Sequence, residues 1–185
     1  MKKILIAVFL MLWGQQFLVA QKINQRIWDS KVKANVLVGP CDRKALNENE
    51  FGVYFKSEYE RYQPSGTYIN KLKEKVDGID VVVIFGEWCG DSKIQVPRFM
   101  KVLDKAGLPS FNLKIYGVNR DKKGIIYDMS KYNIEKVPTF IVYQDGVELG
   151  RIVEAPKKSL ERDLWNIAKK ARTIKEEPEK VKQKK

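Results

Sequence analysis

The sequence predicts an α/β fold, and three observations carry that prediction. Residues 79–85 (IDVVVIF) are β-branched and almost wholly apolar, the composition of a strand buried on both faces of a sheet. Directly after Gly86 the apolar period changes: Ile94, Val96, Phe99, Met100 and Leu103 keep helical spacing to about Ala106, so strand gives way to helix across one tight turn. Asp145-Gly146, set between apolar segments, is a two-residue hairpin signal that joins strands over 139–143 and 147–153.

The elements follow in order. Lys2 and Lys3 precede an apolar run over 4–13, and the small residue Ala20 stands where a signal peptidase could cut. Residues 1–20 therefore read as a signal peptide cleaved after Ala20, which makes the protein exported, periplasmic or extracellular. Gln15 and Gln16 interrupt the run, well short of the roughly 20 apolar residues that a span needs, so no stable membrane anchor is expected after cleavage. Residues 34–38 (ANVLV) form a short strand before Gly39 and Pro40. Over 47–62 the aromatics Phe51, Tyr54, Phe55, Tyr59 and Tyr62 recur on one face of a helix, a stripe that serves core packing before it serves a ligand groove. Pro64 stops that helix and Ser65 caps a second one running to about Lys75. Residues 21–78 are thus expected as an N-terminal helical extension in front of a domain over 79–172. Within that domain a second strand covers 111–118, a short helix 124–132, and a closing helix 156–171, with Leu160, Leu164, Trp165 and Ile167 on one side. Residues 173–185, rich in Lys and Glu and carrying Pro178, read as a disordered basic tail.

Composition excludes several classes of function. The chain of 185 residues is 44% hydrophobic, enough for one core and too short for two ordinary domains. It contains no histidine, which removes the commonest general base and the commonest zinc ligand together. Hydrolases that need an imidazole are therefore excluded. Cys41 and Cys89 are the only two cysteines, too few for a four-thiolate zinc site, so no metal and no cofactor is expected. Loss of the signal peptide removes Lys2 and Lys3 and lowers the formal charge from +12 to +10. The basic residues are interspersed with acidic ones and no aromatic-interleaved basic stripe occurs, so nucleic acid is not an expected partner. What remains for covalent chemistry is thiol exchange.

Residues 87–97, EWCGDSKIQVP, resemble the active-site segment of the thioredoxin superfamily, in which a tryptophan precedes a Cys-Gly-Pro-Cys turn. Pro97, eight residues after Cys89, stands where the family keeps a kinking proline in its active-site helix. Val137-Pro138-Thr139, with Pro138 placed 49 residues after Cys89, resembles the family's cis-proline loop, and the Asp145-Gly146 hairpin follows at the expected distance. The similarity covers about residues 80–171. It implies a thioredoxin-like fold, a central mixed sheet flanked by helices, here with the helical extension in front.

The chemistry of such a turn has its own logic. A cysteine at a helix start faces unpaired N–H groups and the positive end of the helix dipole, which favour the thiolate. Trp88 and Gly90 shape the surface beside the sulfur, the glycine leaving room for a second chain. An X-Pro bond accepts the cis form readily, and the resemblance implies that Pro138 lies against Cys89 while Val137 pairs backbone to backbone with a client, as an added strand would. Cys89, Ser92 and Pro138 are the expected catalytic residues, and Trp88, Gly90, Asp91, Val137 and Thr139 the expected client contacts.

The departures from the family pattern are as informative. Ser92 occupies the place of the second, resolving cysteine, so Cys89 cannot close a disulfide within the turn; Ser92 can still donate a hydroxyl hydrogen bond to the thiolate. Val83 stands six residues before Cys89, where the family often buries a carboxylate. Asp91 replaces the family's proline and puts negative charge beside the sulfur, and Glu154 falls near a glycine that lets partners approach. Cys41, in the turn Gly39-Pro40-Cys41-Asp42, is open to three readings: a resolving partner for Cys89, a member of a structural disulfide, or a buried small apolar residue. Two functions follow. One is a thiol–disulfide oxidoreductase or isomerase of the cell envelope that works through Cys89 as a monothiol, with cysteine-bearing client proteins and an external thiol or envelope redox partner. The other is a redox-inactive binding module that keeps the groove alone. A monothiol-glutaredoxin reading with an iron–sulfur cluster lacks the Cys-Gly-Phe-Ser turn it requires.

Overall fold

A computed structural model describes residues 22–124 and 127–172; the expected signal peptide over 1–20 and the basic tail over 173–185 lie outside the described residues. Six strands, β1 (Gln25–Asp29), β2 (Ala34–Cys41), β3 (Asp80–Phe85), β4 (Leu113–Gly117), β5 (Thr139–Gln144) and β6 (Val147–Val153), form one sheet in the order β1-β2-β4-β3-β5-β6. The helices are α1 (Asn49–Arg61), α2 (Gly66–Lys73), α3 (Gly90–Ala106) and α4 (Leu160–Ala168). The sheet is mixed: β3 and β4 are parallel, and β1–β2, β2–β4, β3–β5 and β5–β6 are antiparallel. A parallel neighbour requires a crossover, and α3 supplies it between β3 and β4.

β3 lies inside the sheet and its alternation sorts the core. Val81, Val83 and Phe85 join the cluster in which all four helices bury their apolar faces, through Phe51, Ile69, Phe99 and Leu164 among others. Val82 and Ile84 face the other way, against Met129, Tyr132, Val137 and Ile141. The aromatic stripe of α1 is core: Phe51 and Phe55 are buried and Tyr59 and Tyr62 pack on the same cluster. α3 ends where Gly107 enters the left-handed region at φ 83°, its N–H reaching Leu103 and Asp104, while the Leu108 N–H returns to the Leu103 carbonyl, the arrangement that closes helix C-termini.

Three expectations need correction. Residues 21–78 are not a helical extension: they begin with the hairpin β1–β2, and β2 is bonded to β4 through Gly39 opposite Gly117, Pro40 opposite Tyr116 and Cys41 opposite Ile115. Residues 25–29 (QRIWD) carry no inward–outward alternation, Trp28 being 64% exposed, because an edge strand can be held by main-chain bonds alone. The expected helix over 124–132 is instead a bridge between Gly124 and Tyr127 followed by a short 3-10 turn, Ser130–Tyr132. There the Asp128 carboxylate takes the Ser130 N–H at 2.9 Å, a local bond that competes with helix formation. Ser65 precedes α2 but makes no side-chain cap bond; its N–H donates to Glu161 Oε1 at 3.1 Å. Glu161 also accepts from the Tyr62 hydroxyl at 2.6 Å and the Ser159 hydroxyl at 2.8 Å, which ties the α1–α2 connection to the start of α4.

Candidate active site

The turn after β3 is shaped by close approach. A Cβ on Gly86 would sit 2.5 Å from the Trp88 ring, so only glycine lets the indole fold back over the end of the strand. Trp88 is then fixed by its Nε1–H, which donates to the Val118 carbonyl at 3.1 Å, and by the Arg120 guanidinium 4.3 Å above its ring, a cation–π contact. Cys89 follows at the N-cap of α3 with extended backbone, φ −90° and ψ 126°. Its N–H donates to the Gly86 carbonyl at 2.9 Å and its carbonyl accepts the Lys93 N–H at 3.1 Å. The sulfur is half-buried and donates to the Val137 carbonyl at 3.1 Å.

That carbonyl belongs to the loop expected opposite the cysteine. Val137–Pro138 is cis, the Thr139 hydroxyl donates to the Lys136 carbonyl at 2.7 Å, and the Pro138 carbonyl accepts the Glu154 N–H at 2.8 Å. Glu154 itself is left-handed at φ 58° and its carboxylate pairs with the Lys136 ammonium at 2.6 Å. The Glu154 carboxylate, with the fields of Glu135 and Asp91, raises the Lys136 pKa above its ordinary value. Glu154 is thus the carboxylate that Lys136 contacts on this loop.

The expected site residues divide by exposure. Gly90 and Asp91 are exposed and Trp88 is half-buried; apart from its chain neighbours and its own helix backbone, nothing lies within 4 Å of a Cβ placed on Gly90, so the space over that residue is open. Val137 and Thr139 are buried, Thr139 to 1% exposure, so neither side chain is open to the client contact expected of it. Ser92 is fully buried and its Oγ accepts the Gly86 N–H at 3.3 Å. Among the described residues no hydrogen bond joins Ser92 to the Cys89 sulfur, so the serine braces the turn.

Cys41 and Cys89 are both free. Cys41 lies opposite Ile115, which lies opposite Val83, so about 9.5 Å, two strand spacings, separates β2 from β3 at that level. Cys89 sits beyond the end of β3 and points to the β5 side, through Val137. Cα atoms more than about 7 Å apart cannot be bridged without backbone movement. Cys41 also packs in the helix-covered core, and its sulfur donates to the Gly39 carbonyl at 3.4 Å. Burial, with lesser effects from Glu87 and Asp42, pushes its thiol up to about 12.

Sequence reasoning missed Glu87. This buried carboxylate, two residues before Cys89, forms an ion pair with Arg26 of β1 and accepts the Leu37 N–H of β2 at 2.8 Å. The partners lie 50 and 61 residues away in the chain, so no local spacing signals them. The acidic residue in front of the tryptophan was the one available cue.

Among solved structures, a Fasciola hepatica thioredoxin is 21% identical and covers 57% of this chain and 89% of its own, with a TM-score of 0.37. A thioredoxin of Mycoplasma genitalium is 33% identical over 86 residues, 46% of this chain and 78% of that protein, and a putative thioredoxin-4 of Dictyostelium discoideum is 31% identical over 51% of this chain and 86% of its own. The family model described as thioredoxin matches residues 47–172, so the matched region opens at α1 and takes in both helices that precede β3. A match over well over half of the chain settles the relationship, and the protein belongs to the thioredoxin family.

Proposed function

We propose that this protein is an exported monothiol that exchanges disulfides through Cys89, with Trp88-Cys89-Gly90-Asp91-Ser92 as a Cys-x-x-Ser form of the family's active-site turn. One observation carries the reading: a half-buried Cys89 at the N-cap of α3, its sulfur 3.1 Å from the Val137 carbonyl of the cis-proline loop and the exposed Gly90 next to it in the chain. The Cys89 thiolate attacks one sulfur of a client disulfide. The Cys89–client bond forms as the client's own S–S bond breaks, and the departing client sulfur leaves as a thiolate and takes a proton from water. Cys89 is thereby oxidised to the disulfide level and the departing sulfur reduced. Release requires a second thiol, either an external one or another on the client, to attack the client sulfur and expel Cys89. With the client's own thiol the outcome is isomerisation.

Ser92 favours a second reading, a binding module without turnover, because it leaves the turn with one sulfur. Incubation of the mature protein with a peptide disulfide, followed by mass spectrometry, separates the two. A Cys89–peptide adduct that added glutathione resolves, absent from Cys89→Ala and retained in Cys41→Ser, is the expected result; no adduct on wild type leaves the binding module. Export is part of the proposal and rests on residues 1–20. Expression with that segment intact should release a chain beginning at Gln21 outside the cytoplasm, and retention of the full-length chain inside would refute it.

A further inference from the structure

We propose that Arg26 and Glu87 are positioning residues for Cys89, the hairpin β1–β2 gripping the active-site turn through them. The inference rests on the reading of Cys89 as the nucleophile. Glu87 is only 8% exposed, and each of its carboxylate oxygens is engaged by the hairpin: Oε1 by the Arg26 guanidinium and Oε2 by the Leu37 N–H at 2.8 Å. Arg26 also donates to the Asn35 carbonyl at 3.1 Å, so one guanidinium spans both hairpin strands and the turn. A second route reaches the next residue. Asp29, at the end of β1, accepts the Arg120 N–H at 2.6 Å, and the Arg120 guanidinium covers Trp88.

The two residues directly before the nucleophile are therefore each held by the hairpin, through separate contacts. A buried carboxylate that loses its partner is strongly destabilised in place, so removal of Arg26 drives Glu87 toward water and drags the turn with it. That displacement matters for a reaction in which the sulfur must meet a client aligned on the Val137 edge, because misplacement of the order of an ångström costs oriented reactions large factors. It matters little to a small reagent that approaches from any direction.

The test compares wild type, Arg26→Ala, Glu87→Gln and Arg26→Lys at temperatures well below unfolding. Exchange of Cys89 with a peptide disulfide should fall about tenfold in Arg26→Ala and Glu87→Gln, while alkylation by iodoacetamide stays within about twofold. Arg26→Lys keeps the charge and should recover most of the exchange rate. Hydrogen exchange at the Cys89 amide, bonded to the Gly86 carbonyl, reads the clamp with no redox step: it should quicken in Arg26→Ala and recover in Arg26→Lys. Unchanged peptide exchange, equal losses with both reagents, or an unchanged Cys89 amide overturns the clamp. If wild type fails to react with the peptide disulfide, the proposed function falls, and the amide measurement alone decides the clamp.

Discussion

Unfolding should expose a second thiol that is invisible in the native protein. Cys41 is 9% exposed and its thiol is pushed up to about 12, chiefly by burial. At about pH 8 such a group holds about one part in ten thousand as thiolate, against about a quarter for an ordinary cysteine near 8.5. Only the thiolate reacts with alkylating agents, so native alkylation of Cys41 should run about 2,000-fold slower than in the unfolded chain, before steric exclusion slows it further. The assay is timed iodoacetamide labelling with and without urea, read by mass spectrometry of the two cysteine peptides. One label on the Cys89 peptide under native conditions and two in urea are expected. Native labelling of Cys41 at a rate near that in urea would refute the burial argument. A Cys41–Cys89 linked peptide formed under mild oxidation would refute the separation across β2, β4 and β3.

Other perturbations probe the frame around the sulfur. Glu154→Gly relieves a left-handed non-glycine residue, worth about 1–2 kcal/mol, against the loss of an exposed ion pair worth about 0–1 kcal/mol and the entropy of glycine at about 0.5–1 kcal/mol. Stability should therefore stay within about 1 kcal/mol of wild type while exchange with a peptide disulfide speeds up; an unchanged rate would show that Glu154 does not narrow the approach to Pro138. Backbone N–H groups, that of Arg120 foremost, hold Asp29 below the usual aspartate range, and the Ala45 N–H foremost does the same for Asp42. The unfolded chain takes up these protons first, so stability is present above the ordinary aspartate value of 3.8 and is lost as pH falls below it. Urea melts across that range should show a shallower acid slope for Asp29→Asn, and an identical slope would count against the linkage. Phe99 is fully buried and stacks on Phe140 with centroids 4.1 Å apart, so Phe99→Ala should cost about 3–5 kcal/mol in denaturant melts; a cost under about 1 kcal/mol would contradict the packing.

The sequence was most legible where local pattern and tertiary demand coincide. β3 could be read because residues buried on both faces must be apolar throughout, α3 because its buried face keeps helical spacing, and β5–β6 because Asp145-Gly146 has few other uses. Cys89 and Pro138 stood out because each is chemically distinctive and the interval between them is fixed by the fold. The hairpin β1–β2 was not legible in full, since β1 is held by main-chain pairing and leaves Trp28, opposite Asn35 of β2, in solvent. Ser92 could be placed in the turn, yet the partner of its hydroxyl, the Gly86 N–H, depends on how the chain turns between β3 and α3.

The same geometry bears on how protons move during exchange. Val83, in the position where the family often buries a carboxylate, is fully enclosed by apolar neighbours and can neither take nor give a proton. The buried carboxylate nearest the nucleophile in sequence is Glu87, and both of its oxygens are already committed to Arg26 and the Leu37 N–H. Gly90 is exposed and Cys89 is partly exposed, so water reaches the turn. Under the proposed monothiol chemistry, a turn with a single sulfur and a partly exposed cysteine suits formation of one mixed disulfide and its release by a second thiol.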